Sequence, residues 1–380
     1  MDKDIQFIKK TFQLARRATG LTSPNPMVGA VIVRNNKVIS QGYHKRAGLP
    51  HAEVEAIRRA DRSLKGSTLY INLEPCCHFG KTPPCVDEII RQGIKRVVIA
   101  TLDPNPAVKG KTVERLKKRG IKVKVGVCEA EARDLNEIFF TNMEKKRPFI
   151  VAKIAQTLDG KIATKKGLSK WITSEKSRSF SKSLRDKYDC ILAGVNTIIH
   201  DDPGLNGFKK IPFKAVIDPD LRIPLNSYLI QSRPEKLILV TSHKSAAKAK
   251  KLPKGINVLF LREKNGVLSA RQIVSKLYKF GITSVFIEGG SESLGRFFLD
   301  KIIDKFYFFI APKIMGGKDA VTSIGAEGFP FPSNCPQLRS IGMVQIDQDI
   351  MIWGYPQYQT QRAHKRIYKM RLYVDRHIYR

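Results

Sequence analysis

His51-Ala52-Glu53 and, further along, Pro75-Cys76-Cys77 with Cys85 bring together the residue types that hold a catalytic metal. One imidazole and two thiolates are the donors zinc takes when its fourth tetrahedral position stays open to water. Water in that position loses its proton at about pH 7, against about 15.7 in bulk, and becomes a nucleophile for an electron-poor ring carbon. Glu53 lies just past His51, where a carboxylate can carry the water's protons without binding the ion. Cys77 is left out of the donor set, because a backbone neighbour of Cys76 cannot easily point at the same ion. His44 and His78 are not needed as donors; a substrate contact and a surface position both stay open for them.

The surrounding sequence predicts the elements that must present these groups. Helical spacing over 51–60 puts His51 and Glu53 at a helix N-terminus, and 67–73 reads as the strand that delivers Cys76. Val86, Ile89 and Ile90 predict a helix beginning beside Cys85. The positive end of a helix dipole favours thiolate and hydroxide, so ligands at helix starts suit this chemistry. Upstream, Ile5, Ile8, Phe12 and Ala15 predict a helix over 4–19, and 28–33 with 38–42 a hairpin turning at Arg34-Asn35-Asn36-Lys37. Downstream, strands at 96–102 and 121–127 flank a helix at 112–119, and 128–145 reads as one closing helix. Such alternation predicts a three-layer α/β sandwich. Glu144-Lys145-Lys146-Arg147-Pro148 stops the closing helix and marks a boundary.

A chain of 380 residues, 42% hydrophobic, is long enough for two cored domains. We expect domains at 1–146 and 147–357, followed by a basic, aromatic-interleaved tail at 358–380. Six scattered cysteines and a start that leads into an amphipathic helix, with no apolar signal core, predict a reducing cytoplasm. The sequence has no run of about 18 apolar residues, which excludes a membrane-spanning helix. A net charge of +34 raises nucleic acid as a partner. The basic residues are dispersed and Lys-rich, however, so the charge reads as compositional bias, and neither nucleic acid nor membrane is the expected partner.

H-x-E followed by P-C-x-x-C is the signature of zinc nucleobase deaminases. Here the second cysteine comes later, after an insert carrying His78, Lys81 and Thr82. With Thr22-Ser23-Pro24-Asn25-Pro26-Met27-Val28-Gly29, Gly42-Tyr43-His44 and Ala47-Gly48-Leu49-Pro50, this long form resembles the deaminase half of the bifunctional RibD family of riboflavin biosynthesis. The resemblance implies a cytidine-deaminase-like N-terminal domain acting on diaminohydroxyphosphoribosylaminopyrimidine. It implies zinc on His51, Cys76 and Cys85, Glu53 as the proton carrier, and Asn25 reading the pyrimidine edge. Beside Pro26, Asn25 is otherwise a turn former.

In the second half, strands are predicted at 149–155, 190–195, 214–217, 236–240 and 282–287, with a helix at 175–187. Glu288-Gly289-Gly290 closes the last strand and opens an apolar helix, a form that offers free amides to phosphate. It is not G-x-G-x-x-G. Together with Leu158-Asp159-Gly160, Trp171-Ile172-Thr173 and Asp201-Asp202-Pro203, it resembles the reductase half of the same family, a dihydrofolate-reductase-like α/β domain that uses NADPH. The resemblance implies cofactor contacts at Ala155, Trp171, Thr197, Asp201, Gly290, Ser291, Glu292, Ser293, Leu294, Gly295 and Arg296. It implies that Lys153, Ser169, Arg185, Leu205 and Glu288 hold the phosphorylated substrate, whose ribosyl chain is reduced to ribityl. A homo-oligomer is also expected.

One position departs from the family. Phe208 stands where an Arg would grip the substrate phosphate, leaving Lys209 or Lys210 to compensate as point charges without a guanidinium fork. Two rival readings follow: a nucleic-acid deaminase, supported by charge and the basic tail, and a deaminase whose reductase half has decayed into a scaffold.

Overall fold

The computed structural model describes residues 2–77 and 84–358; His78, Lys81, Thr82 and the tail beyond Tyr358 lie outside them. The chain forms two compact units. The first is Met1–Phe149 with Asp186–Asp189 and Leu277–Ser284; the second is Ile150–Arg185, Cys190–Lys276 and Val285–Arg380.

In the first unit α1 (Lys3–Arg16) precedes the hairpin of β1 (Gly29–Arg34) and β2 (Lys37–Tyr43), then α2 (Ala52–Arg58) and β3 (Thr68–Leu73). Next come α3 (Cys85–Arg91), β4 (Arg96–Thr101), α4 (Lys111–Lys118), β5 (Lys122–Val125), α5 (Glu129–Leu135) and α6 (Glu137–Lys145). The hairpin turns on Asn35 and Asn36, both left-handed with φ 49° and 59°, which asparagine tolerates in a tight two-residue turn. The sheet order is β2-β1-β3-β4-β5. One face packs Phe7, Ile8 and Phe12 of α1 and Ala132 of α5 against Val31, Tyr70 and Val98. The other packs Ala52 and Ala56 of α2, Val86 and Ile89 of α3 and Leu116 of α4 against Ile32, Ile71 and Ile99. The result is the expected three-layer sandwich, with the catalytic candidates on the α2–α3 side.

The closing helix expected over 128–145 is two helices. Asn136 breaks it: its side chain accepts from Met27 N at 2.8 Å and donates to Met27 O at 3.0 Å. A helical pattern runs through the position, but bonds to a residue 109 positions away decide the backbone there.

The second unit is built on β6 (Phe149–Thr157), β7 (Lys161–Ala163), α7 (Glu175–Arg185), β8 (Cys190–Gly194), α8 (Val195–Asp201), β9 (Phe213–Ile217) and α9 (Tyr228–Ser232). Then follow β10 (Leu237–Ser242), α10 (Ala246–Ala249), β11 (Asn257–Leu261), β12 (Glu263–Lys264), β13 (Val267–Leu268) and α11 (Ala270–Lys279). The chain continues through β14 (Ser284–Glu288), α12 (Ser291–Leu299), β15 (Lys305–Ala311), β16 (Val321–Thr322), β17 (Gln337–Ile346) and β18 (Asp349–Gln357). Nine strands form one sheet in the order β11-β10-β9-β8-β14-β6-β15-β18-β17. The run from β11 to β14 is parallel, whereas β15, β18 and β17 are antiparallel neighbours. Buried on both faces, β8 and β14 read as the continuous apolar runs expected of parallel strands.

Candidate active sites

Among the described residues, His51, Cys76 and Cys85 form the one group whose ligand atoms all lie within 4.8 Å of each other. His51 caps α2 in an extended conformation, so its side chain leaves the helix at the N-terminal end. Helix α2 lies tightly on β2 because Gly42 has no Cβ; one added there would meet Ala56 N at 2.5 Å and Ala52 O at 2.6 Å. Cys85 is the first residue of α3 and is buried.

Cys76 is fixed from below by Glu74, at the end of β3. The Glu74 carboxylate accepts the amides of Gly110 at 2.9 Å, Thr112 at 3.1 Å, Asp103 at 3.3 Å and Val113 at 3.4 Å, while Thr112 Oγ1 donates to Pro75 O at 2.6 Å. The Cys85 amide also donates to Cys76 Sγ at 3.4 Å. The Cys77 thiol turns away toward Ala107 O at 3.8 Å, which keeps it out of the donor set.

The donors suit zinc. Ideal tetrahedral Zn–N and Zn–S bonds separate such atoms by about 3.6 Å; His51 Nδ1 lies 3.6 Å from Cys76 Sγ and 3.1 Å from Cys85 Sγ. A hydrogen bond from Cys85 and, against burial, one from His51 hold the Cys76 thiol down to about 4, while the same sulfur contact and burial push the Cys85 thiol up. Two sulfurs sharing one proton are an arrangement a divalent cation completes. Glu53 is buried on the first turn of α2, and burial raises its carboxyl despite the opposing pull of His51.

Asn25 sits on a loop held by other amides. Asn72 Oδ1 accepts from Gly29 N at 2.8 Å and its Nδ2 donates to Met27 O at 2.9 Å, alongside the Asn136 bonds. Asn25 Nδ2 lies 3.2 Å from His44 Nε2, and His44 Nδ1 lies 3.1 Å from Pro50 O. With Nδ1 carrying the proton, His44 donates to Pro50 O and its Nε2 accepts from Asn25 Nδ2. His44 is thus neither on the surface nor a donor to the ion; it is buried edge-on to His51.

The second unit contains a cleft of about 920 Å³. Lys153 and Ala155 reach it as alternate residues of β6, Glu288 ends β14, and Arg185 comes from α7. Arg185 forks onto Glu288 with contacts of 2.5 and 3.0 Å and donates to Asn206 O at 3.0 Å; Lys153 Nζ lies 3.7 Å from Glu288. Burial lowers the Lys153 ammonium, with Glu288 opposing. Burial would raise Glu288, yet Arg185 and Lys153 outweigh it and the net shift is down.

Ser169, Trp171, Thr197, Asp201, Leu205, Gly290, Ser291, Glu292, Ser293, Leu294 and Arg296 also line the cleft. Gly289 and Gly290 adopt φ of 77° and 73°, which brings the uncapped first turn of α12 to the cleft wall. Gly295 does not line it; the glycine packs against Gly325, whose oxygen would lie 2.1 Å from an added Cβ. Neither Phe208, Lys209 nor Lys210 lines the cleft either. Phe208 is exposed, with Lys182 of α7 4.6 Å above its ring.

Sequence reasoning missed several wall residues. Ser177 and Ser181 recur every four residues with Arg185, one helical face that the spacing could have shown. Their hydroxyls are buried without a partner among the described residues. Arg178 stacks 4.3 Å over Trp171 and donates to Thr173 O at 2.6 Å, steadying an otherwise exposed indole. Helix α8, which carries Thr197 and Asp201, was not predicted at all.

Fold and sites together define a zinc-binding deaminase joined to a reductase. Residues 1–101 match the family described as cytidine and deoxycytidylate deaminase zinc-binding region, and 148–352 match the RibD C-terminal domain. The riboflavin biosynthesis protein RibD of Aquifex aeolicus is 44% identical, with 92% of this chain and 98% of that protein covered. For RibD of Actinobacillus pleuropneumoniae the values are 38%, 92% and 94%. The solved Thermotoga maritima diaminohydroxyphosphoribosylaminopyrimidine deaminase/5-amino-6-(5-phosphoribosylamino)uracil reductase superposes with a TM-score of 0.82 at 34% identity, covering 93% and 99%. An Acinetobacter baumannii RibD structure superposes with 0.83 at 31%, with the same coverage. The chain belongs to the RibD family: it is a bifunctional enzyme of riboflavin biosynthesis, a zinc-dependent deaminase and an NADPH-dependent reductase. Among the described residues no helix is long and apolar enough to cross a membrane.

Proposed function

We propose that the deaminase occupies 1–146, with His51, Cys76 and Cys85 as its zinc ligands and Glu53 as its proton carrier. When bound, zinc supplies the Lewis acidity that makes water a competent nucleophile near neutral pH. Glu53 takes the proton the water sheds and hands it to the departing ring amine, which leaves as ammonia. The Asn25 side chain, held through its Nδ2 by His44, reads the pyrimidine edge. The observation that carries this reading is a carboxylate buried beside the two sulfurs and the imidazole. Glu53→Gln is expected to keep its zinc while ammonia release falls by roughly 10² to 10⁴. Undiminished release would remove Glu53 from that role.

The reductase occupies 147–357, ahead of the tail at 358–380. NADPH supplies the hydride. Lys153, Glu288 and Arg185 converge on the floor of the cleft, where Lys153 is placed to give the sugar ring oxygen its proton as ribose opens to ribitol. An intact buried triad supports a working reductase over a decayed scaffold. Lys182 lies over the ring of Phe208 and, like Lys209 and Lys210, stands outside the cleft wall; because it shares α7 with Arg185, three residues on, we assign it the lost arginine's share of the substrate phosphate. The substrate is a small phosphorylated pyrimidine and not a nucleic acid, the compartment the cytoplasm, and the working form a homo-oligomer.

A further inference from the structure

We infer that Arg222 reads the adenosine 2′-phosphate, and so sets the preference of the reductase for NADPH over NADH; the inference rests on the cleft of the second unit being the cofactor site. The sheet order supplies the direction. β6, β14, β8 and β9 are successive neighbours, and each sends residues into the cleft: Lys153 and Ala155, then Glu288 with the Gly289-Gly290 turn, then Gly194 with Asn196 and Thr197, then Ile217 with Pro219, Asp220 and Arg222. Hydride chemistry belongs over β6 and β14, where the buried triad sits. The free amides at the start of α12 suit the pyrophosphate. An extended dinucleotide that reacts over β6 therefore carries its adenosine toward β9, three strand spacings or about 14 Å away.

At that end the wall is built to hold one guanidinium. Asp218 is fully buried and accepts the amides of Arg222 at 2.9 Å and Ile223 at 2.8 Å, which fixes the turn after β9. Arg222 Nη2 donates to Asn196 Oδ1 at 2.8 Å. Among the described residues that is the partner its side chain has, and no carboxylate pairs with it. The guanidinium is thus aimed by one bond while its other donors remain for an anion, the geometry in which arginine grips phosphate through its fork. Asp220 shares this wall, and Lys248 Nζ donates to its backbone carbonyl at 2.9 Å, so a second cation stands beside the two aspartates and Arg222 is the cation that lines the cleft at this end. The 2′-phosphate is the group by which NADPH differs from NADH, and a lone arginine at the adenosine end recognises that difference.

Calorimetric titration with 2′,5′-ADP and with 5′-AMP tests the assignment without turnover. Wild-type protein should bind the 2′-phosphorylated probe more tightly by roughly 10- to 100-fold. Arg222→Gln should lose that preference with 5′-AMP binding unchanged, and Arg222→Lys should keep part of it. In the reductase assay the same glutamine variant should raise the KM for NADPH while kcat and the KM for NADH hold. A preference that survives in Arg222→Gln would overturn the role of Arg222 alone. A wild-type protein indifferent to the 2′-phosphate would overturn the inference together with the assignment of the cleft.

Discussion

Glu288→Gln removes the anion that two buried cations share, and its consequences can be worked out. Lys153 Nζ lies 3.7 Å from the carboxylate. At an effective dielectric constant of about 20, that separation is worth about 4.5 kcal/mol as an upper bound. Even a third of it is about 1.5 kcal/mol, or roughly one unit in the Lys153 pKa. Burial already lowers that ammonium and Glu288 is what opposes the fall, so the substitution lowers it further. A rate that needs protonated Lys153 declines as pH rises through this pKa, and in the variant the basic limb of reductase kcat moves to lower pH by about one unit. Stability should fall as well, by about 3 kcal/mol, because Arg185 and Lys153 are left buried without a counter-charge. The sign of the pH dependence follows from the lowered carboxyl. Its contribution is complete above about pH 4.3, the unfolded value, and is lost as pH falls through the folded pKa; the variant lacks that acid sensitivity. NADPH oxidation followed across pH on pre-deaminated substrate, with denaturant unfolding alongside, provides both readouts. An unmoved basic limb would refute the placement of Lys153 as proton donor, and a stability loss under about 1 kcal/mol would refute the charge argument.

In the deaminase, Asp4 is buried, receives Arg96 at 2.7 and 2.8 Å and Lys124 at 2.8 Å, and is held well below the usual carboxylate range, chiefly by the Arg96 hydrogen bonds. Asp4→Asn should cost about 3 kcal/mol at neutral pH, and the gap to wild type should close as pH falls below about 4, where the native contribution of Asp4 is itself being lost; denaturant midpoints against pH measure this. Lys182→Ala should raise the reductase KM for its phosphorylated substrate about tenfold, whereas Lys209→Ala/Lys210→Ala should change it little. Steady-state kinetics with each variant decides which cation meets the phosphate.

The clustering of His51, Cys76 and Cys85 was legible because the elements that bring them together are local in sequence. A His at a helix start, a carboxylate in that helix's first turn and two cysteines at element ends need only short-range patterns to be placed. The grip on Cys76 was not legible, since Glu74 is joined to amides 29 to 39 residues away that no local pattern connects to it. Asn136 was hidden for the same reason. In the reductase, resemblance supplied positions without telling packing from contact: Gly295 serves helix packing, and Asp159 of the Leu158-Asp159-Gly160 segment receives the amides of Met315 and Gly316 at 3.0 and 2.8 Å without lining the cleft. Arg222 was invisible because its meaning depends on strand order, which places β9 beside β8 and two strands from β14.

The account depends on a divalent ion held by His51, Cys76 and Cys85, and chelation tests it most directly. Protein stripped of metal should release no ammonia from the diaminopyrimidine, yet oxidise NADPH normally on the deaminated substrate. One equivalent of zinc should restore the first activity without changing the second. Metal-free protein that deaminates as fast as the zinc-loaded enzyme would contradict the account.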